Sequence, residues 1–346
     1  MSDMIRVAVD AMGGDYAPAE PVRGALEALQ ADERICIILT GQEEKIRREM
    51  AGLTWPEGRV RIVDAREVIE TAEAPVKAIQ SKKDSSLVKG LQLVHKGEAD
   101  AFVSSGNTGA VLVGGQAIVK KIRGVQRAPL APLIPTEKGV SLLIDCGASV
   151  DSRPAHLVQF AVMGSVYMRE VCHVAEPRVG LVNIGAEAEK GNALCKEVYP
   201  LLEACPDIHF IGNVEARDIP AGAADVYVTE AFVGNVILKL YEGVAGSLLA
   251  KIREGLYSSV RAKIGGALVK PALKKTLQSF DTSAYGGAPL LGLQGLVVKT
   301  HGNSRANEFR NTVLQCVQFY EQDVNGKIRA YLAREKESKE TEQNTD

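Results

Sequence analysis

A stretch of small hydroxyl, amide and glycine residues follows an apolar run near residue 100. The apolar run Phe102-Val103 ends at Ser104, and the polar stretch Ser105-Gly106-Asn107-Thr108-Gly109 follows it. An apolar segment then continues to Ile118. This order predicts a strand, a tight loop and a helix. Glycine lets an anion approach the backbone of such a loop, and the first N–H groups of the helix lie at the positive end of its dipole. The loop therefore favours phosphate binding, with an ordinary strand-to-helix turn as the alternative.

Other residues with useful chemistry lie where predicted strands end. A lysine in a polar loop at such a place can meet an anion or a developing oxyanion, and a solvated surface lysine is the alternative. Carboxylates there could gather a cation, but they also cap helices, so no metal site is predicted. The candidate residues at these strand ends are Asp10, Gly13, Gly14, Ser105, Gly106, Asn107, Thr108, Asp145, Lys190, Asn213, Glu215, Gly234 and Asn235.

The sequence gives weaker support to two other kinds of chemistry, nucleotide binding and nucleophilic catalysis by a cysteine. The loop after residue 104 contains neither GxGxxG nor GxxxxGK[ST], which argues against both common nucleotide-binding patterns. Cys146 follows a strand and could take an acyl group, but no histidine is near it in sequence, and a buried cysteine is the common case. His156 is expected to pack within a helix, and His301 to lie in a turn.

The elements that must position these residues alternate along the chain. Short apolar runs are separated by helix-like segments, which indicates an α/β fold with a mostly parallel sheet and helices on both faces. Ligands in such sheets bind outside the carboxyl ends of the strands. The predicted strands cover residues 5–10, 35–39, 59–63, 101–104, 141–144, 178–184, 208–211, 225–229 and 295–299.

Composition narrows the class of protein. The chain has 346 residues, 46% of them hydrophobic, and a formal net charge of -2, so no global basic field attracts nucleic acid. Its six cysteines include no CxxC pair, and the first residues lack the apolar core of a signal peptide. We therefore expect a cytoplasmic protein. No uninterrupted apolar run approaches the ~20 residues of a spanning helix.

Six segments of the chain together form a specific pattern. They are Val7-Ala8-Val9-Asp10-Ala11-Met12-Gly13-Gly14-Asp15, Ser104-Ser105-Gly106-Asn107-Thr108-Gly109-Ala110, Leu143-Ile144-Asp145-Cys146-Gly147-Ala148, Val179-Gly180-Leu181-Val182-Asn183-Ile184-Gly185, Phe210-Ile211-Gly212-Asn213-Val214-Glu215-Ala216-Arg217-Asp218 and Tyr285-Gly286-Gly287-Ala288. With these segments the chain resembles the bacterial phosphate acyltransferase (PlsX) family, and the resemblance extends from about Met4 to about Ala330. That family makes acyl phosphate from acyl-[acyl carrier protein] and inorganic phosphate at the start of phospholipid synthesis.

The resemblance implies a fold and an assembly. The fold would be the one shared by isocitrate and isopropylmalate dehydrogenases and by phosphotransacetylases, usually as a homodimer. We expect one elaborated catalytic domain over residues 1–334, a helical hairpin within it at about 243–278, and a disordered polar tail over 335–346. The partners would be acyl carrier protein and inorganic phosphate, with no cofactor.

The resemblance also assigns roles to residues. Lys190 and Asn235 would be catalytic, with Lys190 binding phosphate or stabilising the oxyanion and Asn235 donating to the acyl carbonyl or holding phosphate. Residues 105–108 would form the phosphate cradle. Phosphate is already nucleophilic at cytoplasmic pH, so direct transfer without an acyl-enzyme would suffice. The alternatives are a non-catalytic, membrane-associated scaffold of lipid synthesis and a dehydrogenase of the same fold, which binds nucleotide without GxGxxG.

A basic amphipathic segment interrupts the α/β alternation. Residues 247–278 contain seven basic residues and one acidic residue, and apolar residues recur at helical spacing. Gly265-Gly266 is expected to break the segment into two helices, with Pro271 near the start of the second. Leu256, Val260 and Ile264 would contact either a twin subunit or an anionic membrane. At a membrane, the product could pass to an integral acyltransferase that uses acyl phosphate.

Overall fold

The computed structural model describes residues 4–149, 151–278 and 282–343. These residues form eleven strands. They are β1 Ile5–Asp10, β2 Ile35–Gly41, β3 Val60–Asp64, β4 Ala101–Ser104, β5 Leu133–Thr136, β6 Gly139–Ile144, β7 Arg178–Asn183, β8 His209–Glu215, β9 Val226–Val228, β10 Ala288–Leu290 and β11 Leu296–Lys299.

Eleven α-helices lie within the same described ranges. They are α1 Ala19–Ala31, α2 Glu43–Met50, α3 Pro75–Ser81, α4 Ser86–His95, α5 Thr108–Gly114, α6 Pro154–Glu170, α7 Ala193–Glu203, α8 Ala231–Tyr257, α9 Val260–Gln278, α10 Ala306–Glu321 and α11 Val324–Gln343. A π-helical turn over Gly115–Val119 continues α5.

The chain divides into two compact units, each with its own sheet. Unit 1 comprises Met1–Pro132, Val162–Glu176 and Ser283–Asp346. Its sheet has the order β10-β11-β4-β1-β2-β3, and every pair except β10 with β11 is parallel. The central strands are buried because they carry apolar residues on both faces, as parallel strands covered by helices require.

Unit 2 comprises Leu133–Ala161 and Pro177–Thr282. Its five-stranded sheet has the order β5-β6-β9-β7-β8, and only β5 runs antiparallel to its neighbour. The predicted α/β class with mostly parallel sheets is confirmed. The sequence favours a single domain over residues 1–334, whereas the described contacts group the chain into these two units.

Close helix packing in unit 1 depends on a small residue. A Cβ at Gly24 of α1 would lie 2.3 Å from the Ala306 carbonyl oxygen of α10, which is closer than real contacts allow. The Ala306 N–H donates to the Glu20 carboxylate at 2.7 Å, so α1 also caps α10. These contacts fix the start of α10, which directly follows the loop after β11.

The hairpin differs from the expectation in where it breaks. Helix α8 ends at Tyr257 and α9 begins at Val260, and the Ala262 N–H donates to Ser259 Oγ at 3.1 Å. The prediction that Gly265-Gly266 breaks the segment is wrong, because both glycines and Pro271 lie inside α9. A Cβ at Gly266 would already contact Leu256 at 3.4 Å, so the small residue lets α9 pack against α8.

Helix α8 is long and mostly apolar, although the sequence contains no uninterrupted apolar run of that length. It is 27 residues long and, by length and composition, apolar enough to cross a membrane. Lys239 and Glu242 interrupt the apolar run, which is why no continuous stretch was found. The helix begins inside the packed part of unit 2, where Ala231 and Gly234 are buried.

The chain closes with two helices, α10 and α11, which are separated by a tight turn. Asp323 has a φ of 44°, and its Oδ1 accepts from the Gly326 N–H at 3.1 Å, so α10 ends and α11 is capped at this turn. Helix α11 runs through Gln343, whereas the sequence favours a disordered tail from residue 335. The remainder of that tail lies outside the described residues.

Candidate functional site

The carboxyl ends of β1 and β4 meet in the middle of the unit 1 sheet. Ser104 Oγ donates to Asp10 Oδ2 at 2.7 Å, and the Gly106 N–H donates to Ser104 Oγ at 3.0 Å. The Met12 N–H donates to Asp10 Oδ1 at 3.1 Å. Burial raises the pKa of the Asp10 carboxyl, and these hydrogen bonds oppose that rise. Asp10 therefore joins the two loops that follow these strands.

Glycine is required where the two loops touch. Gly14 has a φ of 91°, and a Cβ there would lie 2.2 Å from Ser105 Oγ. Ser105 Oγ donates to the Gly13 carbonyl at 2.7 Å. A Cβ at Gly13 would lie 2.7 Å from the Gly106 nitrogen. The predicted cradle residues are thus brought together by direct packing of main chain on main chain.

Asn107 serves the cradle indirectly. Its Oδ1 accepts from the Ala110 N–H at 2.9 Å and caps α5, while Nδ2 lies within 3.1 Å of three carbonyl oxygens before α3, those of Glu70, Thr71 and Glu73. The amide is fully used by the protein, so it holds the loop rather than reaching a ligand. Thr108, at the first position of α5, is exposed.

In unit 2 a pair of buried amides supports the loop that carries Lys190. Asn183 ends β7 and Asn213 lies in β8. Asn183 Nδ2 donates to Asn213 Oδ1 at 3.0 Å and to the Lys190 carbonyl at 3.1 Å. Asn213 Nδ2 donates to the Glu187 carbonyl at 2.8 Å. We call Asn183 and Asn213 the amide clasp, since together they hold both ends of the turn 187–190.

Lys190 extends from this turn into solvent. Within the described part of the chain, the structure gives its ammonium group no ion pair or hydrogen-bond acceptor. A Cβ at Gly185 would lie 3.2 Å from Lys190 Cγ, so the stem of the side chain packs against the start of the loop. The group is an available cation at the carboxyl edge of the unit 2 sheet.

Asn235 lies in the first turns of α8, beside the loop that follows β6. Its Nδ2 donates to the Cys146 carbonyl at 3.2 Å. A Cβ at Gly234 would lie 1.9 Å from the Asp145 carbonyl oxygen, so only glycine allows the helix to approach this loop. Asp145 Oδ1 accepts from the N–H groups of Gly147 and Ala148 at 3.2 and 3.0 Å. The predicted residues Asp145, Gly234 and Asn235 therefore form one cluster.

Glu215, at the end of β8, pairs with Arg217 at 2.9 Å. Its position at the sheet edge matches the expectation, but its carboxylate already has a cationic partner.

Cys146, the alternative nucleophile, is poorly suited to that role, because it is buried and burial raises the pKa of its thiol well above the usual value. His156 is buried beside Phe160, as expected for packing, and His301 is exposed before a turn.

Asn183 is absent from the residues predicted from the sequence, although Asn213, its hydrogen-bond partner in β8, is among them. Also absent are Lys299, Thr300 and Ser304, all of which are buried at the end of β11 or in the loop after it. The sequence does contain a signal for Lys299. It is the last residue of the apolar strand Leu296–Lys299, where an ordinary surface lysine is not expected.

The hairpin residues divide into two groups. Val260 and Ile264 are 74% and 61% exposed and lie on one face of α9. Leu256 is half-buried against Gly266, so it belongs to the contact between the two helices. Leu256 is less exposed than Val260 and Ile264, and an external contact of Leu256 stays a prediction.

Comparison with known proteins places the chain in a family. The model of a family described as "Fatty acid synthesis protein" matches residues 5–327. A phosphate acyltransferase of Clostridium tetani (strain Massachusetts / E88) is 44% identical over 328 residues, which are 95% of this chain and 98% of that protein. A phosphate acyltransferase of Clostridium botulinum (strain Loch Maree / Type A3) is 47% identical over 318 residues, 92% of this chain and 95% of that protein. The chain belongs to the phosphate acyltransferase family. It is therefore an acyltransferase, as the sequence predicted.

Solved structures confirm the fold. A phosphotransacetylase from Streptococcus pyogenes superposes with a TM-score of 0.58 at 17% identity, covering 92% of this chain and 94% of that chain. The EutD phosphotransacetylase from Staphylococcus aureus gives a TM-score of 0.53 at 16% identity, with the same coverage. At such low identity the likeness shows the architecture that the phosphate acyltransferase family shares with these proteins.

Proposed function

We propose that the chain transfers the acyl group of acyl-[acyl carrier protein] to inorganic phosphate, releasing acyl phosphate and free acyl carrier protein for bacterial phospholipid synthesis. The main structural support is the position of Lys190. Its ammonium group is available at the carboxyl edge of a parallel sheet, and the amide clasp holds the turn that carries it. Relatives named phosphate acyltransferase support the proposal. The dehydrogenase alternative lacks such support.

The chemistry needs few protein groups. A phosphate oxygen attacks the thioester carbonyl, a C–O bond forms, and the carbonyl oxygen becomes an oxyanion that Lys190 and Asn235 stabilise. Collapse of the tetrahedral intermediate breaks the C–S bond, and the proton of hydrogen phosphate passes to the departing thiolate. No acyl-enzyme is needed, which agrees with the buried, protonated thiol of Cys146.

The phosphate would bind at the cradle of unit 1. The residues that we assign to substrate or phosphate binding are those of the two strand-end clusters: Asp10, Gly13, Gly14, Ser105, Gly106, Asn107 and Thr108 in unit 1, and Asp145, Asn213, Glu215 and Gly234 in unit 2. Asn107 and Asn213 act in this scheme by holding loops, because their amides are engaged by the protein.

A direct assay tests this function. Purified protein is mixed with acyl carrier protein bearing a long-chain acyl group and with inorganic phosphate, and ³¹P NMR follows acyl phosphate while a thiol reagent follows free carrier protein. We expect both products in equal amounts, dependent on phosphate. Neither product would form if the chain were a non-catalytic scaffold, and the proposal would then be wrong.

We further propose a homodimer that works in the cytoplasm and contacts anionic membrane through the hairpin. The support is a face of exposed apolar residues on α8 and α9 next to the basic residues of the segment 247–278. A long-chain acyl phosphate is poorly soluble in water, so release at a membrane would pass it to an integral acyltransferase.

A further inference from the structure

The cradle in unit 1 needs a positive charge that the sequence-predicted residues do not include. Asp10, Gly13, Gly14 and residues 105–108 supply a carboxyl group, hydroxyl groups, an amide and main-chain groups but no cation. Anions held in proteins are usually compensated by charge as well as by N–H donors, because charge-assisted hydrogen bonds are stronger than neutral ones. A cation close to these loops is therefore expected.

Lys299 occupies the required place. It ends β11 and pairs in register with Ser104 of β4, and Ser104 in turn hydrogen-bonds Asp10 of β1. The carboxyl ends of three adjacent parallel strands thus carry Asp10, Ser104 and Lys299 in a row. The lysine is only 7% exposed, although this residue type is rarely buried without a partner.

The loop after β11 packs directly on the cradle. The Asp15 N–H donates to the Gly302 carbonyl at 2.7 Å, and the Thr300 N–H donates to the Ser104 carbonyl at 3.0 Å. A Cβ at Gly14 would lie 2.8 Å from the Gly302 oxygen. Residues 300–304 therefore form a third loop of the same cluster.

Two hydroxyl groups of this third loop, and in part the neighbouring Lys299 ammonium, are left available by the described structure. The buried hydroxyls of Thr300 and Ser304 have no hydrogen-bond partner among the described residues. The Lys299 ammonium donates to the Thr300 carbonyl, and within that part of the chain it has no ion pair. Leaving buried polar groups without partners costs free energy, which is recovered when a ligand supplies the acceptor.

The neighbouring charges are compatible with an anion. Burial raises the pKa of the Asp10 carboxyl, and its two oxygens already accept from Ser104 Oγ and the Met12 N–H. Arg305, the next cation along the chain, lies over the Tyr16 ring at 3.4 Å and is 3.6 Å from the Glu20 carboxylate, so it is already paired. Lys299 is left as the buried cation at this edge of the sheet.

We propose that Lys299 provides the positive charge of the phosphate site in unit 1, with the hydroxyls of Thr300 and Ser304 donating to the same anion. The inference rests on the proposed function, in which inorganic phosphate is a substrate. The ligand that we propose is inorganic phosphate, the substrate of the proposed function.

The test uses the full-length protein and two readouts. Isothermal titration with inorganic phosphate measures binding without turnover, and steady-state kinetics separates the KM for phosphate from the KM for acyl-[acyl carrier protein]. For Lys299→Met we expect phosphate affinity to fall about 10- to 100-fold, as for loss of one charge-assisted contact. Lys121→Met is the control, since that ammonium also donates to a backbone carbonyl in unit 1 but lies away from the cradle.

A pH profile adds a signature that a packing role would not give. Burial lowers the pKa of Lys299 to about 8, against the opposing influence of Asp10, Glu308 and Asp15. The ammonium is charged below that pH and neutral above it, so wild-type phosphate affinity should fall as pH rises through about 8. Lys299→Arg should keep the charge and shift this fall to higher pH.

Thr300→Val gives an independent test, since it removes an unpartnered hydroxyl with little change in shape. We expect unchanged melting temperature and a higher KM for phosphate. Wild-type phosphate affinity in both Lys299→Met and Thr300→Val would overturn the inference, as would an equal rise of both KM values or a rise confined to acyl carrier protein. If the wild-type protein itself forms no acyl phosphate, the proposed function fails, whereas the binding assay still judges Lys299.

Discussion

Lys190 and Asn235 are the residues on which turnover should depend most. We expect Lys190→Ala and Asn235→Ala each to lower kcat by about 10²–10³, the usual loss when one preorganised oxyanion donor is removed. Lys190 is exposed and Asn235 is half-buried, so neither change should remove core packing. Lys196→Ala, which removes an exposed lysine of α7, serves as the control. Near wild-type kcat in either active-site variant, with unchanged circular dichroism and melting temperature, would remove that residue from the mechanism.

The amide clasp should act on turnover through Lys190. Asn183→Ala removes the donor to the Lys190 carbonyl and the bond to Asn213, so the turn 187–190 loses its support. We expect kcat to fall about tenfold, with a smaller change in either KM. The measurement is a double-mutant cycle, because interacting residues are non-additive.

In the Lys190→Ala background, Asn183→Ala should have little further effect on kcat. Asn183→Asp keeps the acceptor for the Ile184 N–H but loses both side-chain donations, so it should resemble Asn183→Ala. Fully additive losses in the cycle would mean that the clasp affects the enzyme by a route other than Lys190.

Among the structural elements, the glycine loops of unit 1 restrict substitution in two ways, through the backbone conformation and through close packing. Gly14 has a positive φ, and its surroundings leave no room for a Cβ. Gly14→Ala should therefore reduce the free energy of unfolding by about 1–3 kcal/mol or more. Gly58→Ala is the matched control, because Gly58 has a φ of 78° but nothing within 4 Å of a Cβ. Urea unfolding of both variants separates the backbone strain from the clash.

Gly106 should behave differently, because its φ is ordinary and a Cβ would lie 3.2 Å from Ser104 Oγ. We expect Gly106→Ala to fold normally and to raise the KM for phosphate several-fold, more than the KM for acyl carrier protein. The reason is that the methyl group presses on the hydroxyl that accepts the Gly106 N–H. A uniform loss in both KM values would instead indicate a collapsed loop.

The hairpin is the element that should govern membrane contact. Val260→Glu combined with Ile264→Glu changes two exposed residues and leaves the Leu256 contact with Gly266 intact. We expect wild-type protein to co-sediment with anionic vesicles, less so at high salt, because basic residues attract anionic lipid over roughly a Debye length. The double variant should stay in the supernatant.

Light scattering on the same samples separates the alternatives for the hairpin. A variant that remains dimeric but loses vesicle binding supports the membrane contact. If the substitutions dissociate the dimer while vesicle binding persists, the exposed face is a subunit interface and the membrane proposal is wrong.

At the scale of the whole molecule, two compact units with separate sheets should show different responses to ligand. A ligand that binds only the folded state stabilises it by about 2.7 kcal/mol at 100 times its Kd. We expect inorganic phosphate to raise the melting temperature of the transition that includes unit 1, where the cradle lies. Calorimetry with and without phosphate, at constant ionic strength, measures this, and sulfate is the control anion.

The Lys299→Met variant should lose this stabilisation while keeping the melting temperature of the ligand-free protein. A phosphate effect that is equal in wild type and variant would show that the anion stabilises the protein somewhere else.

Resemblance to known proteins predicted the acyltransferase family, whereas the residue pattern alone predicted the alternation of strands and helices and the position of the candidate residues at strand ends. These features depend on local order: a run of apolar residues makes a buried strand, and the polar residues that follow it must lie at the sheet edge. For the same reason Asp10, Ser105 and Lys190 were predicted correctly to lie at or after strand ends, whereas Asn235, also predicted in such a loop, lies in the first turns of α8.

The tertiary structure alone decided which strand ends are neighbours and which polar groups are already used. Strand order places β11 beside β4, so Lys299 joins Ser104 and Asp10, which are distant in the chain. It likewise pairs Asn183 with Asn213, and it turns Leu256 towards Gly266. Local pattern cannot encode these contacts, because the partner across a parallel sheet is set by the packing of whole elements rather than by spacing along the sequence.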